Sequence, residues 1–440
     1  MKNKSLGFEF FKYVSLNIVG MLGISCYILA DTFFISNGVG ALGLTALNLA
    51  IPVYTVINAS ALMFSIGSAT KYAIFSAGNQ KEEANAAFSN AVKVSVVAGL
   101  LFTLIGTVFS DNLAYLLGAD ETTASMTSTY IRTLSCFSVF FIFNTFMGCF
   151  VRNDKAPGLS MAAMVAGSLF NIVFDYIFVY PLNMGMFGAA LATGISPMVG
   201  LAVLSVHFIK RKNNFKFIKC VFRIKEIYYM CRLGIAAFIT EISSGIVIIV
   251  FNMLILNISG NIGVAAYGIV VNTAIVVLSV FTGITQGLQP LLSRSYGKGN
   301  LKDTHKLLRM GIILSLIISL GVYLIVFLNS KIIVDLFNES KDYSLSIMAE
   351  KGIKIYFTGF LFAGMNIVAA AFFAAVEKPK EALLISVLRG ILVIIPCVII
   401  FSQLFSMNGV WLSFLFTEFI TFIAVIIFYL RINKKGKISL

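Results

Sequence analysis

Residues 242–293 read ISSGIVIIVFNMLILNISGNIGVAAYGIVVNTAIVVLSVFTGITQGLQPLLS, 52 residues without one Asp, Glu, Lys or Arg. A helix crosses the hydrocarbon core of a bilayer in about 20 residues. The stretch therefore holds two crossings, with a turn at Leu256-Asn-Ile-Ser-Gly-Asn. Residues 32–70 and 176–209 are also free of charge, the second with a turn at Tyr180-Pro-Leu-Asn-Met-Gly. Working outward, the chain divides into twelve spans at 10–35, 44–70, 89–109, 126–151, 158–180, 186–208, 229–255, 264–292, 308–328, 352–375, 382–402 and 408–430. The whole chain is 59% hydrophobic and 12% charged, with mean hydropathy +0.94. A water-soluble fold of that composition would expose too much apolar surface. A membrane β-barrel shows short alternating segments instead of continuous apolar runs. The expected fold class is an all-α membrane protein of twelve transmembrane helices in two six-helix bundles related by a parallel internal repeat.

The net charge of +14 invites a nucleic-acid reading, but its distribution follows topology. The two termini and the connections after even-numbered spans hold 27 of the 33 Lys and Arg. Connections after odd-numbered spans hold five, Arg132, Lys331, Lys341, Lys351 and Lys354, and Arg389 lies inside a span. By the positive-inside rule both termini face the cytoplasm of a prokaryotic inner (cytoplasmic) membrane. The basic connection around 210–232 holds eight of the 27 and is expected to meet anionic lipid headgroups. Glu9 and Lys12 interrupt the apolar run after Lys2 and Lys4, so the first span reads as retained. The six cysteines form no CxxC pair, and neither histidine, His207 or His305, has a metal-spaced partner. No cofactor, no nucleic-acid partner and no enzymatic nucleophile–base motif is expected, and the chain reads as a monomer.

The second half echoes the first at an offset near 221. Ala77-Gly-Asn-Gln-Lys-Glu-Glu matches Lys298-Gly-Asn-Leu-Lys-Asp-Thr, and Asn183-Met-Gly-Met-Phe-Gly188 matches Leu404-Phe-Ser-Met-Asn-Gly409. Six spans, a linker and six spans give an N-lobe at 1–209, a cytoplasmic linker at 210–228 and a C-lobe at 229–440.

An ionisable group in the middle of a span costs on the order of 3 kcal/mol on insertion scales. Five lie clearly inside: Asp31, Asp175, Glu241, Arg389 and Glu418. Asp31, Asp175 and Thr193 fall at similar depths on the outer side of spans one, five and six. Asn171 sits one turn from Asp175 on the same face. At offset 221 these four map to Asn252, Pro396, Phe414 and Leu392, so the second half keeps the scaffold and lacks the polar set. That asymmetry favours a ligand role over a folding role. Two carboxylates in a dry cavity cannot both stay charged cheaply: one holds a proton, or a Na⁺ bridges the pair. Asp31, Asn171, Asp175 and Thr193 are therefore the candidate cation-coupling and Na⁺-binding residues. Glu241, Asn144 and Gln286 are candidates for lining a substrate cavity, although an interhelical hydrogen bond would equally explain Glu241. Arg389 is expected to snorkel toward the cytoplasm.

Several stretches resemble the MATE (multidrug and toxic compound extrusion) family, in its DinF/MepA-like branch. They are Ala30-Asp-Thr-Phe-Phe-Ile-Ser with Gly40 and Ala50-Ile-Pro52; Asn171-Ile-Val-Phe-Asp175 with Met184-Gly-Met-Phe-Gly-Ala-Ala-Leu-Ala-Thr193; and Gly283-Ile-Thr-Gln-Gly-Leu-Gln-Pro290 with Tyr296-Gly. The resemblance implies a V-shaped pair of bundles. It implies export of cationic or amphipathic small molecules, driven by H⁺ or Na⁺, with the cation site at Asp31, Asn171, Asp175 and Thr193. Some relatives bend their first helix at a proline near the acid; residues 10–35 contain none, so that bend is not expected here. Others use acids on spans seven and ten. Residues 352–375 contain no acid, so a cation site in the C-lobe is not expected. The competing reading is a flippase for a lipid or lipid-linked substrate, which would be expected to line its cavity with several Arg or Lys.

Overall fold

The structure is a computed structural model that describes residues 5–220, 224–338 and 342–434. Lys2, Lys4, Arg223, Lys341, Lys435 and Lys437, which enter the charge distribution, lie outside the described residues. Every element among the described residues is helical. In the first half these are α1 (Leu6–Gly38), α2 (Ala41–Ala77), α3 (Lys81–Val108), α4 (Ser110–Leu116), α5 (Ala124–Cys136), α6 (Ser138–Asn153), α7 (Pro157–Val179) and α8 (Gly185–Ile209). Then follow α9 (Ile224–Gly297), α10 (Leu301–Leu328), α11 (Ser330–Asp335), α12 (Tyr343–Tyr356), α13 (Phe360–Ala375), α14 (Pro379–Val387), α15 (Ile394–Phe405) and α16 (Met407–Lys434).

Fourteen of these helices make twelve crossings; α4 and α11, seven and six residues long, are too short to cross. α5 and α6 form one span bent by 49°. α12 and α13 are joined by a tight 3₁₀ turn at Phe357–Gly359, and α14 and α15 by a π turn at Leu388–Leu392. α9 is 74 residues long, roughly 110 Å at 1.5 Å per residue and far more than one bilayer needs. It is two spans meeting at Gly260, whose φ of 61° and ψ of −155° break the helix. The turn expected around Leu256–Asn261 thus contracts to one backbone flip. Most helices also run several residues beyond the apolar windows, because polar residues extend them into the interfacial layer.

The backbone breaks repeat along the chain. Positive φ occurs at Gly40 and Gly260, Asn79 and Gly299, Lys155 and Glu377, and Asn183 and Ser406. The spacings are 220, 220, 222 and 223 residues, the same drift as the sequence repeat. An L-residue pays to adopt this region, so four paired sites mark a shared scaffold better than helix count does. The bend at Phe137 and the 3₁₀ turn at Phe357–Gly359 form a further pair.

The chain forms two compact units, residues 1–241 and 242–440. In the first, α7 packs between α1 and α8, while α2 packs on α3 and α6. One core cluster surrounds Ile35, Leu47, Ile131 and Val179; another is aromatic, around Phe88, Phe146, Phe150 and Phe215. In the second unit, α13 packs on α10, α14 and α16, and α15 packs on α16. Its buried centre includes Trp411, Phe281, Phe357, Phe360 and Phe372, with Tyr356 and Phe414 stacked at 4.3 Å.

The start of α9 belongs to the first unit because glycine lets it close on α2. A Cβ at Gly67 would strike the Met230 carbonyl, and one at Gly234 the Met63 carbonyl. Helices in lipid associate by this kind of close backbone approach, since lipid offers no hydrophobic drive between them. An ion pair between Lys71 and Glu226 seals the same crossing at its end. Gly234→Leu should therefore cut the yield of monodisperse protein in detergent several-fold. Gly321→Leu, at a position with nothing within 4 Å, should leave it unchanged. Equal elution profiles for the two variants would contradict the packing argument.

Candidate cation site

Asp31 lies seven residues before the end of α1, roughly 10 Å along the axis. That is deeper than the apolar window suggested, because α1 continues to Gly38. Asp175 lies four residues before the end of α7, with Asn171 one turn earlier, and Thr193 is eight residues into α8. The packing of α1 on α7 and α7 on α8 brings all four together. Asp175 and Asn171 are fully buried, Thr193 is 6% exposed and Asp31 8%. Asn171 Nδ2 donates to Thr193 Oγ1 at 3.2 Å. The two carboxyl groups interact directly with each other. Yet Asp31 Oδ1, both oxygens of Asp175 and Asn171 Oδ1 are buried without a hydrogen-bond donor.

These four buried acceptor oxygens would be satisfied by a proton or a bound cation. Leaving even one buried acceptor unmade costs ~1–3 kcal/mol, and more when it is charged. The donor set is all oxygen, so it suits a proton or a hard cation such as Na⁺ and not a thiolate- or imidazole-preferring metal. No group of three His, Cys, Asp or Glu gathers to hold a metal among the described residues. Asp31 and Asp175 would share the proton, or those two with Asn171 and Thr193 would ligate Na⁺ through their oxygens.

Tyrosines surround this pair, and the sequence reading missed them. Tyr130, on α5 and 4% exposed, lies within electrostatic range of both carboxylates and close to Thr193. Tyr27, one turn before Asp31 on α1, meets Tyr54 of α2 hydroxyl to hydroxyl at 3.3 Å. Tyr54 lies in turn within electrostatic range of Asp31 and of Glu241. Glu241 Oε1 accepts from Asn58 Nδ2 at 2.9 Å. A polar track thus runs through the first unit, from the acid pair by Tyr27 and Tyr54 to Glu241 and Asn58. The i, i+4 spacings of Tyr27 with Asp31 and of Tyr54 with Asn58 were the available signals.

Of the cavity candidates, Glu241 does make an interhelical hydrogen bond. Asn144 is half-buried on α6 with its carboxamide packed toward Gly200 of α8 and its Oδ1 without a donor. Gln286 is half-buried on the second half of α9, in the other unit.

The expectation for Arg389 is corrected. It does not snorkel; its Nη2 and Nε donate to Glu418 Oε1 at 2.7 and 3.2 Å, with side chains 11% and 2% exposed. Asn366 of α13 donates to Glu418 Oε2 at 2.7 Å and to its backbone carbonyl at 2.8 Å. The π turn at Leu388–Leu392 carries Arg389, and a carboxylate within reach offsets desolvation that a lone guanidinium would escape only by reaching water. Sequence position gave the depth of these groups but not their pairing.

The MatE family model matches residues 17–177 and 235–399, once in each half of the chain. Multidrug export protein MepA of Staphylococcus aureus (strain bovine RF122 / ET3-1) is 27% identical, over 97% of this chain and 95% of that protein. The MepA of Staphylococcus saprophyticus is 26% identical, over 94% of this chain and 92% of that one. Among solved structures, an outward-facing multidrug resistance MATE family transporter of the MOP superfamily superposes with TM-score 0.92 at 22% identity, covering 98% of this chain and 96% of that one. A MOP superfamily transporter from Pyrococcus furiosus, described as having a binding pocket of reversed polarity, superposes with TM-score 0.91 at 21% identity, covering 98% and 96%.

Two outcomes test the site without any transport assay. Asp175→Asn supplies a donor to a cluster that lacks one, so at pH 8 its detergent-solubilised form should unfold at the parent's temperature or above. Unfolding several degrees lower would contradict the clustered-acceptor geometry. Glu418→Ala leaves the Arg389 guanidinium buried and unpaired and should cost about 3–5 kcal/mol. Arg389→Met with Glu418→Leu should recover most of that loss in the same melting experiment.

Proposed function

The chain belongs to the MatE family, and on that footing we propose that it is a cation-coupled exporter of cationic or amphipathic small molecules. The carrying observation is the donorless set of Asp31, Asp175 and Asn171 oxygens. A cluster that must recruit a proton or Na⁺ can report which ion has arrived. When the ion enters from outside, the acid pair loses net charge and its contacts with Tyr130, Asn171 and Thr193 rearrange. If that arrangement differs between outward- and inward-open states, ion binding biases one over the other by its difference in affinity. The duplicated six-span scaffold supplies two bodies able to rock by alternating access. The reading places the protein in a prokaryotic inner membrane as a monomer with both termini in the cytoplasm. Its basic connection would meet anionic headgroups there.

The similarity to two MepA proteins supports multidrug export. Glu241 supports a preference for organic cations, since a half-buried acid on the polar track attracts positive charge. The flippase reading is weakened at Arg389: the one basic residue the sequence places mid-span is neutralised by Glu418, so it offers no free charge to an anionic headgroup. No step here requires enzymatic chemistry or a bound cofactor.

In proteoliposomes, efflux of a fluorescent cation such as ethidium should respond to an imposed inward gradient of H⁺ or of Na⁺. Asp31→Asn or Asp175→Asn should reduce gradient-driven efflux to the level of empty liposomes while the proteins still elute as folded monomers. Parent-level efflux by both variants would rule out the coupling site. Transport of a lipid analogue without ethidium flux would favour the flippase.

A further inference from the structure

The segment after α8 is strapped to the first unit. Asn214 donates its backbone N–H to Asp154 Oδ2 at 2.8 Å and its Nδ2 to Asp154 Oδ1 at 2.7 Å. Asp154 Oδ2 is also 2.9 Å from His207 Nε2. Further along, the Lys216 N–H donates to Asn85 Oδ1 at 2.9 Å and the Ile218 N–H to Ser89 Oγ at 2.8 Å. Lys93 Nζ donates to the Cys220 carbonyl at 2.8 Å. Phe215 is fully buried, 4.6 Å from the Phe88 ring and 5.7 Å from Phe150. With Phe215 turned inward, Lys216 and Phe217 are left exposed.

Between this strap and helices α3, α6 and α8 lies a groove of about 860 Å³, within the range of ligand sites. Val92, Phe143, Leu201 and Phe208 line it, Lys216 is its charged lining residue, and no acidic side chain lines it. Beyond the groove's lining residue Val96 on α3, Val97, Leu100 and Leu101 are each more than half exposed. On a membrane-spanning helix such a row faces acyl chains. Lys210, Arg211, Lys212 and Lys219 are exposed on the same connection.

We infer that this groove is a binding site for an anionic phospholipid, with an acyl chain along α3 and α6 and the phosphate at Lys216. Apolar walls alone would accept any lipid. The single basic side chain at the edge, with more basic residues beside it and no acid in the lining, selects a negative headgroup. Lys216 is held in place because its own backbone N–H is tied to Asn85. The inference rests on residues 210–220 lying at the anionic leaflet and is independent of whether the protein exports drugs.

Delipidated full-length protein in detergent is titrated with phosphatidylglycerol and, separately, phosphatidylcholine, and bound lipid is counted by native mass spectrometry. Phosphatidylglycerol should bind at least about five-fold more tightly, the worth of one basic residue at an anionic headgroup. Lys216→Gln should remove most of that preference, and Lys302→Gln, an exposed lysine of the second unit, should leave it intact. Ser205→Trp, which fills the groove from an exposed lining position, should weaken retention of both lipids. Equal affinity of the parent for the two lipids would overturn the proposal. So would identical behaviour of the two lysine variants, or a groove that takes ethidium and no lipid.

Discussion

Two carboxylates meeting in a dry interior, with no donor to satisfy them, set the terms for the first unit. Charges that close repel strongly at low dielectric, and each carboxylate also loses its hydration. Such a pair persists only if a positive partner is part of its working state. Around it, the helices bring what a transient partner needs: Asn171 and Thr193 as further oxygens, and Tyr130, Tyr27 and Tyr54 as hydroxyls that can reorient. The packing of α1, α7 and α8 is what fixes these groups at one depth, so scaffold and site are one construction.

The second unit handles buried charge differently. Arg389, Glu418 and Asn366 complete one another, and both carboxylate oxygens of Glu418 are occupied. Breaking such a pair is costly, so it holds helices α13 and α16 and the π turn together. The same duplicated backbone, with its matching breaks at Gly40 and Gly260 or Lys155 and Glu377, thus carries a closed ion pair in one copy and an open acid pair in the other. Of these two pairs, Asp31 and Asp175 are the one with carboxylate oxygens left without a donor.

Much of this was legible in the sequence because lipid imposes simple rules. Charge-free runs of fixed length marked the spans, and the cost of burying carboxylates singled out Asp31 and Asp175. The offset near 221 predicted a shared scaffold, and paired backbone breaks appear at that spacing. What was not legible depended on side-chain direction. Tyr27, Tyr54, Tyr130 and Asn58 look like ordinary residues of apolar helices until packing turns them toward the acids. Arg389 was read as snorkelling because nothing in a linear sequence brings residue 418 to residue 389. Lys71, Arg152, Asp154 and His207 fall at the ends of the apolar windows in the sequence, and the fold buries them. The linker at 210–228 read as a basic lobe boundary, and its charge pattern gave no sign that Phe215 anchors it in an aromatic cluster.

If the acid pair couples transport, its cation leaves as substrate binds. The most direct measurement is ion release on adding substrate to purified protein in weakly buffered detergent, followed with a pH indicator and, in parallel, with ²²Na⁺. The parent should release H⁺ or Na⁺ as substrate binds, and a variant with both Asp31→Asn and Asp175→Asn should release neither while still binding substrate. Undiminished release from that double variant would contradict the account.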